Sequence, residues 1–250
     1  MSTPAPLRAE EPQHRADLVR QMFDRVCNRY ELNNMLLSFG LDAYWRWRAR
    51  RLLNLRPDDR VIDLCCGTGA VTRCMAQVVP RGEVVGVDFS EGMLEPARAR
   101  KDKPGQGPIR YICSDVLDVP LPDHSFDALT ICYGPRNIVD LPALWREMRR
   151  LVKPGGQVLS LELTRPRGIM GWFHEIYLNT VVPFLGGLVS GDREAYTYLS
   201  KTIAGFLDPD ELARSMVDGG LVQVQYVPLS GGIVTIHHAR TPALPLRVPS

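Results

Sequence analysis

The first fifty residues and the rest of the chain differ in how their apolar positions are spaced. Between residues 16 and 53 apolar side chains recur at steps of three and four, which predicts helices, with an interruption at residues 38–40. After a turn signal at residues 56–59, short apolar runs alternate with helix-like stretches. The predicted strands are residues 60–64, 83–87, 109–113, 126–133 and 157–163. Such alternation is typical of a parallel sheet with helices on both faces.

Local signals bound the helices between these strands. One helix follows the first strand and extends to Val79, and a second covers residues 91–100 with Ser90 as its N-cap. A third covers residues 141–152, and the Lys-Pro-Gly-Gly stretch at residues 153–156 predicts a turn that ends it.

The C-terminal part breaks this rhythm. Residues 167–206 are rich in aromatic and aliphatic side chains, and Pro183 near their middle predicts two helices rather than one. A helix at residues 209–219 precedes two strands, 222–227 and 232–239, whose Ser-Gly-Gly connection predicts an antiparallel hairpin. We therefore predict an α/β fold with a doubly wound, mostly parallel, seven-stranded Rossmann-like sheet. It carries a C-terminal antiparallel hairpin and an N-terminal helical lid.

The pattern also predicts how the domain is organised. We expect one domain over residues 1–250, because its length suits a single core. Its predicted parts are an N-terminal helical lid (1–54), a cofactor-binding core (55–165), a helical insert that covers the substrate (166–206), and a final helix with the hairpin (207–240).

Composition and charge narrow the function classes. Of the 250 residues, 45% are hydrophobic and 23% charged, which excludes a disordered, collagen-like or coiled-coil chain. Lys and Arg number 30 against 28 Asp and Glu, so no basic excess points to nucleic acid. No apolar run reaches the roughly 18 residues of a spanning helix, and the first twenty residues lack a signal sequence. We expect a cytoplasmic protein whose six cysteines are free thiols and which holds no metal site.

The chemistry is concentrated after the first three strands. Asp63 leads into a turn with Gly67 and Gly69, and in such turns glycine lets the backbone approach a ligand. Thr72 stands where a third glycine would complete a dinucleotide fingerprint. Asp88 ends the second strand, where a carboxylate accepts from ribose hydroxyls, and Asp115 follows the third. Together they describe a nucleoside site without a phosphate clamp, which suits S-adenosylmethionine.

These segments resemble the motifs of class I S-adenosylmethionine methyltransferases. Further stretches resemble the ubiquinone/menaquinone biosynthesis C-methyltransferases, the UbiE-type family. The resembling stretches are Phe-Asp-Arg-Val at 23–26, Arg-Tyr-Glu-Leu-Asn at 29–33, Leu-Ser-Phe-Gly at 37–40, Cys-Tyr-Gly-Pro-Arg-Asn at 132–137 and the Tyr-x-Tyr-Leu block at 196–199. The resemblance covers roughly residues 18–240, and the Cys-Cys-Gly-Thr turn is compatible with the menaquinone branch.

The resemblance implies a site and a reaction. It implies cofactor contacts from Thr68, Asp88, Asp115 with Val116, and a position near Cys132. We extend this set with neighbours in the same motifs, namely Asp63, Gly67, Gly69, Phe89, Met93 and Tyr30. The implied reaction is carbon methylation of a prenylated hydroquinone, most closely demethylmenaquinol.

The predicted catalytic residues are Tyr133, Arg136 and Asn137. Carbon methylation needs an electron-rich ring, and Arg136 is a plausible partner for a developing phenolate. Arginine is a poor proton acceptor, so we expect water or another side chain to take the proton. The alternative for Arg136 is a structural ion pair with Asp140 or Glu162.

Two departures from the family pattern leave the methyl acceptor open, and the packing of the insert is open as well. Pro135 and Ala204 differ from the usual residues, so another acceptor, such as a phospholipid amine or a phenolic natural product, stays open. A catalytically silent cofactor-binding subunit of a quinone-synthesis complex is the second alternative. The aromatic side chains of the insert are expected to pack a prenyl tail or to form core; they are Trp172, Phe173, Tyr177 and Phe184. We expect peripheral association with the inner face of a membrane, and a homodimer is left open.

Overall fold

The computed structural model describes residues 19–25, 27, 30–166, 168–182 and 193–243. Within these residues the chain forms one seven-stranded sheet in the order β3-β2-β1-β4-β5-β7-β6. The strands are β1 (Arg60–Leu64), β2 (Glu83–Asp88), β3 (Ile109–Cys113), β4 (Phe126–Cys132), β5 (Val152–Leu163), β6 (Val222–Leu229) and β7 (Val234–Arg240). Strands β1 to β5 pair in parallel, and β7 pairs antiparallel with both β5 and β6. The predicted fold class is therefore confirmed.

Helices cover both faces of the sheet. They are Tyr30–Leu37, Leu41–Leu52, Ala70–Ala76, Glu91–Ala99, Leu141–Leu151, Gly168–Ile176, Arg193–Gly205 and Pro209–Asp218. Residues 19–25 are also helical, short 3-10 turns occupy Pro135–Asn137 and Ser230–Gly232, and a π turn occupies Tyr177–Val181. The break near Pro183 lies outside the described residues. No helix in the described ranges is long and apolar enough to cross a bilayer.

The sheet is buried on both sides because each face has its own apolar cluster. On one face Trp145 and Met148 of helix Leu141–Leu151 pack with Met216 against the strands. On the other face Trp45 of helix Leu41–Leu52 and Met75 pack against β1, β4 and β5. A smaller cluster of Leu178, Val182 and Ile203 packs against the lid, and it forms the floor of the cavity described below.

The helix before residues 153–156 ends at Leu151, close to its predicted end, but the fifth strand begins earlier than predicted. Strand β5 starts at Val152 instead of residue 157, and residues 153–156 form an irregularity within it. Between the pairs Phe126–Val152 and Ala128–Gln157, β4 advances by two residues while β5 advances by five. The extra residues bulge out of the ladder, and Gly155 there has φ 76°. The sequence of residues 153–156 does not reveal that the residues on either side of them, Val152 and Gln157, both pair with β4.

The outer edge of the sheet is irregular. Strand β6 has a register shift between Val222 and Gln225, and Gln223 adopts φ 54°. Pro228, in the same strand, has no backbone N–H to donate. Both features are tolerated because β6 has a neighbour on one side only.

Candidate active site

The glycine turn joins β1 to helix Ala70–Ala76 at the carboxyl edge of the sheet. Cys65, Gly67 and Gly69 have φ angles of 51°, 53° and 75°. A side chain on Gly69 would collide with the hydroxyl of Tyr111, so only glycine fits there. The backbone N–H of Cys66 donates to Val87 O at 3.0 Å, which ties the turn to β2.

Asp88 lies beside this turn with its carboxylate buried. Its Oδ2 accepts from Gly67 N at 2.8 Å, and its Oδ1 accepts from Ser90 N at 3.0 Å. A carboxylate has about four acceptor positions, so this one retains capacity for two hydroxyl donors. Burial raises the pKa of Asp88 to about 6, against the lowering by its backbone hydrogen bonds.

Asp63 faces the interior of the sheet instead of the turn's outer side. Its Oδ2 accepts from Thr72 and its Oδ1 from Thr130, both at 2.7 Å. These bonds join β1 to β4 and to helix Ala70–Ala76, and burial raises the pKa of Asp63 to about 6. Because both of its oxygens accept hydrogen bonds from protein side chains, Asp63 holds the elements on either side of the glycine turn in position.

The remaining predicted cofactor residues line the same edge. Met93 is buried with its methyl group against Gly67, and Phe89 is half-buried. Val116 is buried beside the exposed Asp115, whose Oδ1 accepts from Leu117 N at 2.9 Å. Cys132 is buried at the end of β4.

This donor set fits an adenosyl group. A buried carboxylate with free acceptor capacity suits two ribose hydroxyls, and neighbouring apolar side chains suit the base. The exposed carboxylate of Asp115 suits an amino group. No lysine or arginine is among the predicted cofactor residues, which suits a ligand without phosphate.

The N-terminal segment closes over this edge through two acids. Glu31 Oε1 accepts from Thr68 Oγ1 at 2.6 Å and pairs with Arg100 at the same distance. Asp24 Oδ1 accepts from the hydroxyl of Ser90. The lid therefore contacts the glycine turn at Thr68 and the start of the next helix at Ser90. The sequence motifs contained both acids but gave no signal of their partners, which are 37 and 66 residues away.

A cavity of about 1030 Å³, including its open mouth, lies between the lid, the sheet edge and the insert. Its walls are mainly aliphatic and aromatic. Its lining includes the apolar residues Met22, Phe23, Leu37, Trp45, Leu163, Leu178, Val182, Leu199, Ile203 and Ile233. Its polar lining comprises Tyr30, Asn34, Ser38, Asp42, Tyr133, Arg136, Asn137, His174, Tyr177, Tyr198 and Thr202. All three predicted catalytic residues are thus in its wall.

Arg136 is held in this wall by a buried ion pair with Glu162. Its Nη1 donates to Glu162 Oε1 and to Tyr133 O, both at 2.6 Å. The side chains of Arg136 and Glu162 are 6% and 0% exposed. Of the two structural partners considered for Arg136, the observed one is Glu162, while Asp140 caps helix Leu141–Leu151. The buried Nε of Arg136 has no hydrogen-bond partner within the described residues.

Tyr133 and Asn137 complete this end of the cavity. Tyr133 adopts φ 60°, a strained angle for a tyrosine, and its buried hydroxyl has no partner in the described part of the chain. Asn137 Nδ2 donates to Tyr133 O at 3.3 Å, and its Oδ1 accepts from Tyr198 at 3.3 Å. Burial raises the pKa of Tyr133 well above its ordinary value.

Tyr30 connects the cavity to the cofactor edge. Burial raises the pKa of its phenol, and Arg136, Asp88 and Glu162 all lie close enough to act on it electrostatically. Tyr30 lines the cavity and is therefore near both the acid at the end of β2 and the guanidinium in the cavity wall.

The aromatic side chains of the insert differ from one another in where they lie. Trp172 and Phe173 are 59% and 56% exposed, so they belong neither to the core nor to the cavity wall. Tyr177 does line the cavity and donates to Leu37 O at 2.6 Å. Phe184 and the side chain of Tyr196 lie outside the described residues. A helical period places residues on one face of a helix but does not tell which face meets the protein.

Comparisons with known proteins agree with this geometry. The model of the ubiE/COQ5 methyltransferase family matches residues 10–241. A demethylmenaquinone methyltransferase of Thermus thermophilus is 39% identical over 86% of this chain and 98% of its own. A ubiquinone/menaquinone biosynthesis C-methyltransferase of a Shewanella species is 36% identical over 91% and 92%. A Haemonchus contortus phosphoethanolamine N-methyltransferase, solved with S-adenosyl-L-methionine, shares the fold at 16% identity, with a TM-score of 0.59 over 88% of this chain and 60% of its own. The chain belongs to the ubiE/COQ5 methyltransferase family.

Proposed function

We propose that this methyltransferase transfers a methyl group from S-adenosylmethionine to a ring carbon of a prenylated hydroquinone of the demethylmenaquinol type. The observation that carries the proposal is the cavity, whose apolar walls lead to Arg136 and Asn137. Tyr30 lines the cavity and is near both Arg136 and Asp88, which supports an acceptor ring at this end close to the cofactor edge. The names of the relatives support this acceptor class.

In this proposal each residue at the cofactor edge has its own role. When bound, S-adenosylmethionine supplies an electrophilic methyl group on a sulfonium centre. Asp88 accepts from the ribose hydroxyls, Met93 and Val116 pack on the base, and Asp115 accepts from its amino group. Thr68 and Glu31 hold the lid against the turn, which excludes water from the reacting atoms.

The cavity wall activates the acceptor. A hydroquinone carbon becomes a strong nucleophile when a ring hydroxyl loses its proton, so the site must favour phenolate. Arg136 is fixed by Glu162 and lines the cavity, so its guanidinium can donate to the phenolate oxygen. Asn137 is fixed by Tyr133 and Tyr198 and positions the oxygen further. These contacts preorganise the charge, so little reorganisation is needed during reaction.

The rest of the cavity suits an isoprenoid chain. Leu178, Val182, Leu199 and Ile203 line the part of the cavity that the insert and helix Arg193–Gly205 form. These side chains offer no hydrogen bonds, so burial of the tail there is favoured by about 25 cal/mol per Å² of apolar surface. A small amine acceptor would leave this surface without a partner.

The proposal includes docking on an anionic membrane, where a prenylated quinol resides. Phe39 and Ile169 are each 77% exposed, and Trp172 and Phe173 are more than half exposed. Phe39 contacts Tyr177 of the cavity wall with ring centroids 6.1 Å apart, so this apolar rim begins at the cavity. Helix Leu41–Leu52 carries four arginines beside it, which favours a negatively charged surface.

The deciding experiment presents reduced demethylmenaquinone in anionic vesicles with S-adenosylmethionine labelled in its methyl group. We expect label on the quinone ring, located by mass spectrometry after reoxidation. A panel in parallel contains a demethylated ubiquinol precursor, phosphatidylethanolamine and a phenolic natural product. Transfer to the lipid amine or the simple phenol in preference to every quinol would overturn the proposal. Cofactor binding with no transfer to any acceptor would favour a silent subunit.

A further inference from the structure

His174 is a buried imidazole in the wall of the acceptor cavity. It lies on helix Gly168–Ile176, is 7% exposed, and lines the same cavity as Tyr133, Arg136 and Asn137. No hydrogen bond from the described residues reaches either of its ring nitrogens. The described residues therefore engage neither ring nitrogen, which leaves them available to a molecule in the cavity.

The other polar groups of the described cavity lining are poor proton acceptors or are already engaged. Arg136 has no acceptor atom, and burial raises the pKa of the phenols of Tyr30, Tyr133 and Tyr177. Asp42 lines the cavity, but it pairs with Arg46 at 2.7 Å and accepts from Ser38 at 3.2 Å.

Glu162 is also unavailable as a base. Its Oε1 accepts from Arg136 Nη1 and from Leu163 N, and its Oε2 accepts from Arg136 N. It is fully buried behind Arg136 and is not part of the cavity lining. Of the described cavity residues, His174 is therefore left as a neutral base with a free nitrogen.

We propose that His174 takes the proton from the acceptor's ring hydroxyl, so that Arg136 stabilises the phenolate while a different side chain removes its proton. This inference rests on the proposed hydroquinone acceptor. It assigns charge stabilisation to Arg136, which follows β4, and proton removal to His174, which is on helix Gly168–Ile176.

Proton removal from the acceptor precedes methyl transfer. The hydroxyl O–H bond breaks, the proton moves to a ring nitrogen of His174, and the electron pair stays on the phenolate. The ring carbon then forms a bond to the methyl group as the sulfur–methyl bond breaks, and that electron pair stays on sulfur. The methylated carbon then loses its proton to water, which restores the aromatic ring, and His174 returns its proton to the ring oxygen. One proton is released for each methyl group transferred.

The electrostatic surroundings of His174 suit this task. Burial lowers its pKa, so the ring is neutral near pH 7 and ready to accept. Among the described lining residues the charged groups are Asp42 and Arg136, and the other titratable groups are Tyr30, Tyr133, Tyr177 and Tyr198. Glu175, next to it on the helix, is exposed. Burial destabilises the imidazolium that forms, which favours return of the proton after methyl transfer.

The test compares His174→Gln and His174→Ala with the wild type and with His238→Gln as the matched control. His238 is on β7, outside the cavity. In single-turnover reactions we expect both His174 variants to be slower by about a hundredfold, the usual contribution of a general base. Added imidazole should restore His174→Ala but not His174→Gln, and His238→Gln should react normally. The dissociation constant of the quinol, measured without cofactor, should change less than threefold.

A readout independent of turnover uses ¹⁵N-histidine NMR. A halogenated naphthohydroquinone with no free ring carbon has an acidic hydroxyl and cannot be methylated. We expect its binding at pH 7 to protonate His174, seen as a shift of both ring nitrogens.

Three results would overturn the inference. The first is a folded His174→Gln enzyme with the wild-type single-turnover rate. The second is a loss of quinol affinity that accounts for the whole loss of rate, since that would make His174 a positioning residue. The third is an imidazole that stays neutral when the acidic analogue binds. Failure of the wild type to methylate any quinol would instead contradict the proposed function, and the NMR result would still decide the role of His174.

Discussion

Arg136 and Glu162 form an ion pair at 2.6 Å in which both side chains are almost completely buried. Its components come from neighbouring strands, because Glu162 lies near the end of β5 and Arg136 follows β4. The pair fixes the guanidinium in the cavity wall, while its Nε is buried without a partner among the described residues. The ion pair is a structural role and donation to the acceptor is the proposed chemical role, so the two must be separated by experiment.

Arg136→Ala is expected to lose both stability and turnover. Removing the arginine leaves Glu162 buried without its partner, which costs about 3–5 kcal/mol of unfolding free energy. Loss of one donor to the phenolate lowers turnover by about a hundredfold to a thousandfold. Arg136→Lys should recover little turnover, because an ammonium does not reproduce the planar guanidinium.

A double substitution, Arg136→Met with Glu162→Met, separates the two effects. Well-packed apolar residues often replace a buried ion pair without loss of stability. We expect denaturant unfolding to show most of the stability regained and single-turnover rates to stay as low as in Arg136→Ala. A stable double variant with wild-type turnover would remove Arg136 from the chemistry.

Asp88→Ala is expected to weaken S-adenosylmethionine binding at least tenfold. The substitution removes acceptors for two ribose hydroxyls, and hydrogen bonds to a charged group contribute about 1.5–3 kcal/mol each. Calorimetric titration measures the dissociation constant. Asp118→Ala, an exposed acid at the same edge, is the matched control. An unchanged constant in folded Asp88→Ala would contradict the assigned site.

Cofactor affinity is expected to fall as the pH decreases through about 6. Burial raises the pKa of Asp88 to about 6, so below that pH the folded protein carries a protonated acid that accepts hydroxyls less well. Titrations between pH 5 and 8 should show this decline, and Asp88→Asn should flatten it. Asp63 has the same raised pKa, yet its oxygens face Thr72 and Thr130. Asp63→Asn should therefore leave the pH dependence of binding in place.

The same two acids set the sign of the pH dependence of stability. Their pKa is raised from 3.8 to about 6 in the folded state, so the folded chain binds more protons than the unfolded chain between these values. The ligand-free protein should gain unfolding free energy as the pH falls from about 6 to about 4. Urea unfolding of the wild type beside both asparagine variants measures this contribution, and an unchanged slope in both variants would contradict it.

Vesicle binding is expected to depend on the exposed aromatic side chains of the insert. Trp172→Ser with Phe173→Ser removes two rings that together form an edge-on pair with centroids 4.9 Å apart. Full burial of one such ring contributes about 1.5–3 kcal/mol, so co-sedimentation with anionic vesicles should weaken at least tenfold. Val217→Ser, an equally exposed apolar position on helix Pro209–Asp218, should bind like the wild type. Equal binding by all three proteins would exclude this surface as the docking site.

Much of the fold could be predicted because its strands are buried on both faces. Such strands appear as short apolar runs, and β1, β2 and β3 were located to within one residue. Helix starts were predictable where a cap is local, as at Ser90, whose Oγ accepts from Met93 N at 3.1 Å. The bulge in β5 could not be predicted, because it depends on the partner strand and not on the turn residues themselves.

The site was predictable only where its residues follow a strand. Gly67, Asp88 and Asp115 come together because parallel strands end at one edge, which topology alone dictates. Glu162 had a signal, since an acid inside an apolar strand must find a partner. His174 had none, because its position depends on how the insert folds over the sheet. The Tyr-x-Tyr-Leu block contains Tyr198 but does not indicate its hydrogen bond to Asn137.

The irregular edge strand has a consequence for how this protein behaves at high concentration. A chain that exposes aromatic rings at one end would be prone to self-association if it also offered an open strand for pairing. The bulge at Gln223 and the proline at position 228 interrupt the row of donors along β6. Continuous strand addition by a second copy is therefore hindered at β6, which opposes growth of a cross-β aggregate from this edge in the native state.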